Sequence, residues 1–221
     1  MRRSTLAARG FTLIELMVAI AVMAVLALMS WRGLDSMSRA EAQNRQRSDA
    51  VLTLQTTLSQ WSADLDAAIA IPQTQPIDWD GRVLRITRRG PDLTQPVVYV
   101  VAWTARPGAD GRLWWTRWQS AAFTSRSDWR QAWERASSWA QDGGTDARGA
   151  DVALVPLQSW QLGYFRDDNW GPAGNAQSLG TETPLPDGVR LVLDLPPGLA
   201  LAGLLTRDWV RPAANVSKAA S

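Results

Sequence analysis

From Phe11 to Trp31 the chain runs for about the 20 residues a helix needs to cross a bilayer, and from Leu16 to Trp31 its only polar side chain is Ser30. Ahead of it lies a short leader, Met1 to Gly10, with Arg2, Arg3 and Arg9 and no acid. By the positive-inside rule that charge holds the N-terminus on the cytoplasmic side, which places the polar bulk in the periplasm or outside the cell. Glu15 sits within the apolar stretch, one turn from the leader. A carboxylate at membrane depth costs roughly 2.5 to 3.5 kcal/mol on insertion scales, so Glu15 points to a partner and a function; the bland alternative is an acid that snorkels to the interface.

An ordinary secretory signal fits this segment poorly. Such signals have an apolar core of about 7 to 15 residues and then a cleavage site of small residues. Here the core is longer, contains Glu15 near its start and ends in Met29-Ser30-Trp31, where Trp suits no small-residue pocket. A plain uncleaved anchor is the other simple reading.

Gly10-Phe11-Thr12-Leu13-Ile14-Glu15, behind a basic leader and ahead of an apolar helix, resembles the class III signal of type IV pilins and type II secretion pseudopilins. In that family a prepilin peptidase cuts after the glycine on the cytoplasmic side and N-methylates the new terminus. The resemblance therefore implies cleavage between Gly10 and Phe11, N-methylation of Phe11, and an assembly role for Glu15, which would offset a neighboring subunit's terminal amine and set axial register. Such a cut removes the leader's charge yet retains the helix, so the product stays in the membrane until it is drawn into a fiber.

The chain carries 23 basic and 21 acidic residues; three of the basic ones are in the leader, which leaves 20 against 21 and a formal net of −1. The basic pI therefore gives no argument for nucleic acid. Cys and His are both absent, which excludes disulfides, Ser-His-Asp and Cys-His catalysis and the usual zinc sites. Carboxylate-only or Lys-based chemistry stays formally open. No cofactor is expected, and the reading is a structural protein, not an enzyme.

Beyond the membrane the helix is expected to continue. Val51, Leu54, Leu58, Trp61 and Leu65 recur at spacings of 3, 4, 3 and 4, giving one apolar stripe, while Arg39, Glu41, Arg45, Arg47, Asp49 and Gln55 keep the other faces wet. The first proline after this is Pro72, and Gly33 is the one place for a bend. The expected organization is a leader at 1–10, a transmembrane and assembly helix at 11–31, its continuation at 32–70, a β-rich head at 71–210 and a flexible tail at 211–221.

The fold class is α+β, with a mostly antiparallel head of pilin-like type in two sheets. Strands are expected at Arg82 to Thr87, Val97 to Thr104 and Arg112 to Gln119, forming a meander. A short helix follows from Asp128 to Ala140, with Ser127 as N-cap and Trp129, Ala132, Trp133 and Ala136 on one face. Strand character resumes from Val152 to Phe165, and Val189 to Leu195 with Leu199 to Val210 complete a second sheet.

Two features of the head invite chemistry. Thirteen tryptophans, with Trp114, Trp115 and Trp118 close together, suit sugar binding or partner contacts, but strands must bury one face and core or interface is the simpler reading. The pairs Asp64 and Asp66, Asp78 and Asp80, and Asp167 and Asp168 resemble calcium ligands or a dyad, yet none follows an EF-hand loop, and they read as turn chemistry. No metal site is assigned.

Trp31-Arg32-Gly33-Leu34, the Tyr99 strand leading to a Trp-rich strand, the turn Phe165 to Trp170 and the closing segment Leu185 to Leu191 look like minor pseudopilin J of the type II secretion system. That resemblance implies an inner-membrane, single-pass protein with a periplasmic head, placed in the pseudopilus tip complex that drives export of folded exoproteins. It implies as partners minor pseudopilins I and K, minor pseudopilin H with the major pseudopilin, the prepilin peptidase, the inner-membrane assembly platform and exoprotein cargo. A type IV pilus minor pilin shares the whole N-terminal argument, and a membrane-anchored periplasmic binding protein or enzyme is a third reading.

Overall fold

The computed structural model describes residues 11–91, 97–142, 151–174, 184–198 and 200–212. The chain divides into two units, Met1–Ser48 and Asp49–Ser221. Helix α1 (Leu13–Asp66) is a single 54-residue element that includes Gly33. In the first unit every described side chain from Phe11 to Ser48 is exposed, apolar and polar alike. Past Trp31 the surface of α1 turns polar, with Arg39 paired to Asp35 and Arg45 to Glu41 at i, i+4 spacing.

The head contains two antiparallel sheets, as the alternating patterns implied. The first is a five-stranded meander of β1 (Ile77–Trp79), β2 (Val83–Arg89), β3 (Val98–Pro107), β4 (Leu113–Gln119) and β5 (Asp151–Pro156), in that spatial order. Helix α2 (Arg126–Asp142) intervenes between β4 and β5. The second sheet is ordered β7-β6-β8-β9, from β6 (Ser159–Arg166), β7 (Asn169–Pro172), β8 (Gly188–Leu195) and β9 (Gly203–Val210).

The five-stranded sheet is covered on both faces, which explains its long buried run Val100 to Thr104. On one face Leu84, Ile86, Val101, Trp103 and Trp115 pack with Trp61 and Leu65 of α1 and with Val189, Leu191 and Leu193 of the second sheet. On the other, Val83, Val100, Ala102 and Trp118 pack against Ala132, Ala136 and Trp139 of α2. The Trp114-Trp115-Trp118 cluster is thereby split. Trp115 fills the core beside α1 with its ring 4.5 Å from that of Trp103, Trp118 meets α2, and the half-buried Trp114 donates to Asp110 over 3.1 Å. Beside α1 the core indoles meet tilted or edge-on, as Trp79 does Trp160 at 4.6 Å, whereas Trp118 and Trp139 stack at 6.2 Å beside α2, each such pair adding about 0.5 to 1.5 kcal/mol beyond its burial.

Three local expectations change. The expected strand from Val152 to Phe165 is two strands in different sheets, because the chain turns at Leu157-Gln158 to carry β6 into the second layer. The N-cap of α2 is Ser125, not Ser127: Ser125 Oγ accepts from the Asp128 N–H at 3.2 Å and donates to the Asp128 carboxylate at 2.7 Å, a reciprocal cap two residues earlier. The turn after Phe165 opens a further strand, β7, through a two-residue hairpin in which Asp167 and Asp168 both take positive φ, 51° and 61°. A hairpin of that length needs left-handed residues to match strand twist, and Asp tolerates them. Two ends shift as well: α1 stops at Asp66, short of the expected 70, and the last strand begins at Gly203, while Leu199 and most of the expected tail, 213–221, lie outside the described residues.

Tyr164 is buried in the core with no hydrogen-bond partner for its hydroxyl among the described residues, and burial, with the nearby Asp78 charge, pushes its ionization well above the ordinary tyrosine value. Deleting that hydroxyl removes an unpaired polar atom at little cost in volume. Tyr164→Phe is therefore expected to melt at the same temperature as the parent or higher; a loss above about 1 kcal/mol would show that the hydroxyl has a partner.

On the outer face of the second sheet Arg190 holds Asp208 with two hydrogen bonds of 2.8 and 2.7 Å and lies 4.2 Å over the Trp170 ring. Those bonds lower the Asp208 ionization below the usual carboxylate range. A depressed carboxylate adds stability that is full above its unfolded pKa and lost as pH falls through the folded one. The stability difference between the parent and Asp208→Asn should be present at neutral pH and vanish under acid conditions, as followed by urea unfolding across pH. A difference constant down to strong acid would contradict this.

Candidate assembly segment and the lock at the end of its helix

The first turn of α1 is built around Thr12 and Glu15. Glu15 Oε2 accepts from both the Thr12 N–H and the Thr12 hydroxyl at 2.9 Å, and the Glu15 N–H points back to Thr12 Oγ at 3.4 Å. With Leu13 the first helical residue, this is the Thr-x-x-Glu capping box, which satisfies amide donors that a helix start leaves orphaned. Both bonds use Oε2, and Oε1 makes none among the described residues, so one carboxylate oxygen is left for an incoming cation. Phe11 precedes the cap and is 90% exposed. Gly10 and the rest of the leader lie outside the described residues.

Leu13, Ile14, Leu16, Met17, Val18, Ile20 and their apolar successors to Trp31 all face outward. Burying each such side chain is worth about 1.5 to 3 kcal/mol, so the segment as a whole stands to gain tens of kcal/mol from lipid or from other helices. It belongs to the one described helix that is long and apolar enough to cross a membrane.

At its other end α1 is locked into the head by Asp64 and Asp66, which the sequence placed in a turn but which lie in the last turn of the helix. Asp64 is fully buried. Its carboxylate is bound by Arg88 from β2, by Arg117 from β4 through Nε at 2.7 Å and Nη2 at 2.9 Å, by Trp103 Nε1 from β3 at 2.9 Å, and by Gln60 one turn back at 3.0 Å. Asp66 accepts Trp209 Nε1 from β9 at 2.8 Å. One acid thus ties α1 to the first sheet and the other ties it to the second. The apolar stripe placed Leu54, Trp61 and Leu65 in the core correctly, but the buried charge on the same face was not read from it.

The remaining acid pairs stay apart from these. Asp78 pairs with Arg85, and Asp80 Oδ1 caps the β1–β2 turn by accepting the Arg82 and Val83 amides at 2.9 and 2.8 Å. Among the described residues no three acidic side chains gather where they could hold a metal ion.

A known family, described as the prokaryotic N-terminal methylation motif, matches residues 6–31. Among curated proteins, none matches the chain. The match covers the leader junction, the Thr12–Glu15 cap and the apolar stretch, and stops where the surface of α1 turns polar. The chain therefore carries a type IV pilin-like prepilin signal on a single long apolar helix compatible with a membrane anchor, followed by an antiparallel β head of two sheets.

Proposed function

We propose that the chain is a minor pseudopilin of the type II secretion system, most like pseudopilin J, acting as a structural subunit and not as an enzyme. The observation that carries the pilin-like part is the methylation motif over residues 6–31, coinciding with a capped, wholly exposed apolar helix. The choice of J is supported by the resemblance of Trp31 to Leu34, the Tyr99 strand, the Phe165 to Trp170 hairpin and the Leu185 to Leu191 segment. In this reading the prepilin peptidase cuts between Gly10 and Phe11 and methylates Phe11. The apolar helix then leaves lipid for the helices of other pseudopilins, and Glu15 Oε1 takes a neighbor's terminal amine, fixing a register that apolar contact alone leaves free to slide.

The head in this reading is periplasmic and joins minor pseudopilins I and K at the pseudopilus tip, above H and the major pseudopilin, while the assembly platform holds the growing filament and a cytoplasmic ATPase supplies the driving force. A strain lacking the chain is expected to retain folded exoproteins in its periplasm while keeping surface pili and twitching. Loss of pili with secretion intact would replace this reading by a type IV pilus minor pilin.

A further inference from the structure

Among the described residues the two sheets of the head have four outer edges, and three carry features that stop an edge from recruiting another strand. β1 has only three residues, β7 has four and ends in Pro172, and β5 ends in Pro156 and pairs with β4 across a register shift at Trp115/Thr116. β9 has none of these. It is eight residues long, contains no proline, and keeps one unbroken register with β8 from Gly188↔Val210 to Leu195↔Gly203.

Its open side can be assigned residue by residue. The Arg211 N–H donates to the Asp187 carbonyl at 2.8 Å, continuing the same register, so antiparallel alternation turns the N–H and C=O groups of Leu204, Thr206, Asp208 and Val210 away from β8. Among the described residues no strand pairs with that side. Leu204 and Val210, 78% and 57% exposed, stand at the two ends of one face. Between them the Asp208 charge is already engaged by Arg190. On the opposite face Arg207 is exposed and has no acidic partner among the described residues.

We propose that the free edge of β9 is the docking site for an extended strand of a different protein, with apolar side chains opposite Leu204 and Val210 and an acidic one opposite Arg207. The backbone of such a strand completes the ladder, while alternate side chains give the selectivity. A second copy of this chain is a poor occupant. Two-fold antiparallel pairing centered on Arg207 or Asp208 sets like charges directly opposite, and centering on Thr206 puts Leu204 against Asp208 and Leu205 against Arg207. The assignment does not depend on which machine the chain serves.

The test uses the full chain in detergent with two fluorescent, end-capped peptides, Val-Thr-Thr-Glu-Thr-Thr-Val and its counterpart with Lys in place of Glu. The Glu peptide is expected to bind at least tenfold more tightly. Thr206→Pro, which removes one outward N–H and no bond to β8, is expected to abolish binding with the melting temperature unchanged, and Arg207→Glu to reverse the preference. The proposal is overturned if neither peptide binds, if Thr206→Pro binds like the parent, if Arg207→Glu keeps the original order, if the parent self-associates through this edge, or if binding appears only after residues 213–221 are removed. Should Thr206→Pro fail to fold, the order measured on Arg207→Glu decides alone.

Discussion

Asp64→Ala is expected to destabilize the head by about 3 to 5 kcal/mol, the cost of breaking a buried ion pair from one side. The substitution leaves Arg88 and Arg117, both largely buried, facing a site with no counter-charge, and strips Trp103 Nε1 and Gln60 of their acceptor. For a head of this size the melting temperature should fall on the order of 10 °C, read from the near-ultraviolet signal of the core tryptophans. Asp66→Asn is expected to cost far less, about 1 kcal/mol, because its amide oxygen can still accept from Trp209. An Asp64→Ala protein that melts within 2 °C or so of the parent would mean that the two arginines find water or other acids, and that α1 is held by its apolar stripe alone.

Glu15→Leu is expected to leave processing intact and to abolish assembly. In the single chain this change makes the apolar stretch more apolar and should, if anything, strengthen its hold on lipid. In the proposed reading the loss comes only when helices associate, where the carboxylate would offset a neighbor's amine. An energy of about 2.5 to 3.5 kcal/mol, the insertion cost a lone carboxylate carries, corresponds to a fall in cross-linked oligomers of roughly 50-fold or more. Thr12→Val keeps the charge and loses the cap, worth about 1 kcal/mol, so its defect should be smaller. Wild-type oligomer yield from Glu15→Leu would remove the register role.

The length and character of α1, the meander and the two-sheet head were legible because each rests on a periodicity: 3.6 in Leu54, Trp61 and Leu65, and two in Trp160, Leu162 and Tyr164. What escaped depended on partners far away in the chain. Asp64 looks like any helix-end acid until β2, β3 and β4 bring Arg88, Trp103 and Arg117 to it, and no local pattern announces that meeting. The break at Leu157-Gln158 was hidden because the runs on either side are both strand-like, and only sheet assignment separates them. Two misses were local: Ser125-x-x-Asp128 and Thr12-x-x-Glu15 are both reciprocal caps written in the sequence. Reading Glu15 as a charge at membrane depth that sets register left out its part in starting the helix.

The central claim, that the first turn of α1 is exposed by proteolysis and then used for assembly, is tested most directly by the intact mass and N-terminal peptide of the membrane-bound protein, made with and without the prepilin peptidase. The account expects a chain that begins at N-methylated Phe11 when the enzyme is present and at the uncut leader when it is absent. An unprocessed terminus in both, or a cut beyond Trp31, would contradict it.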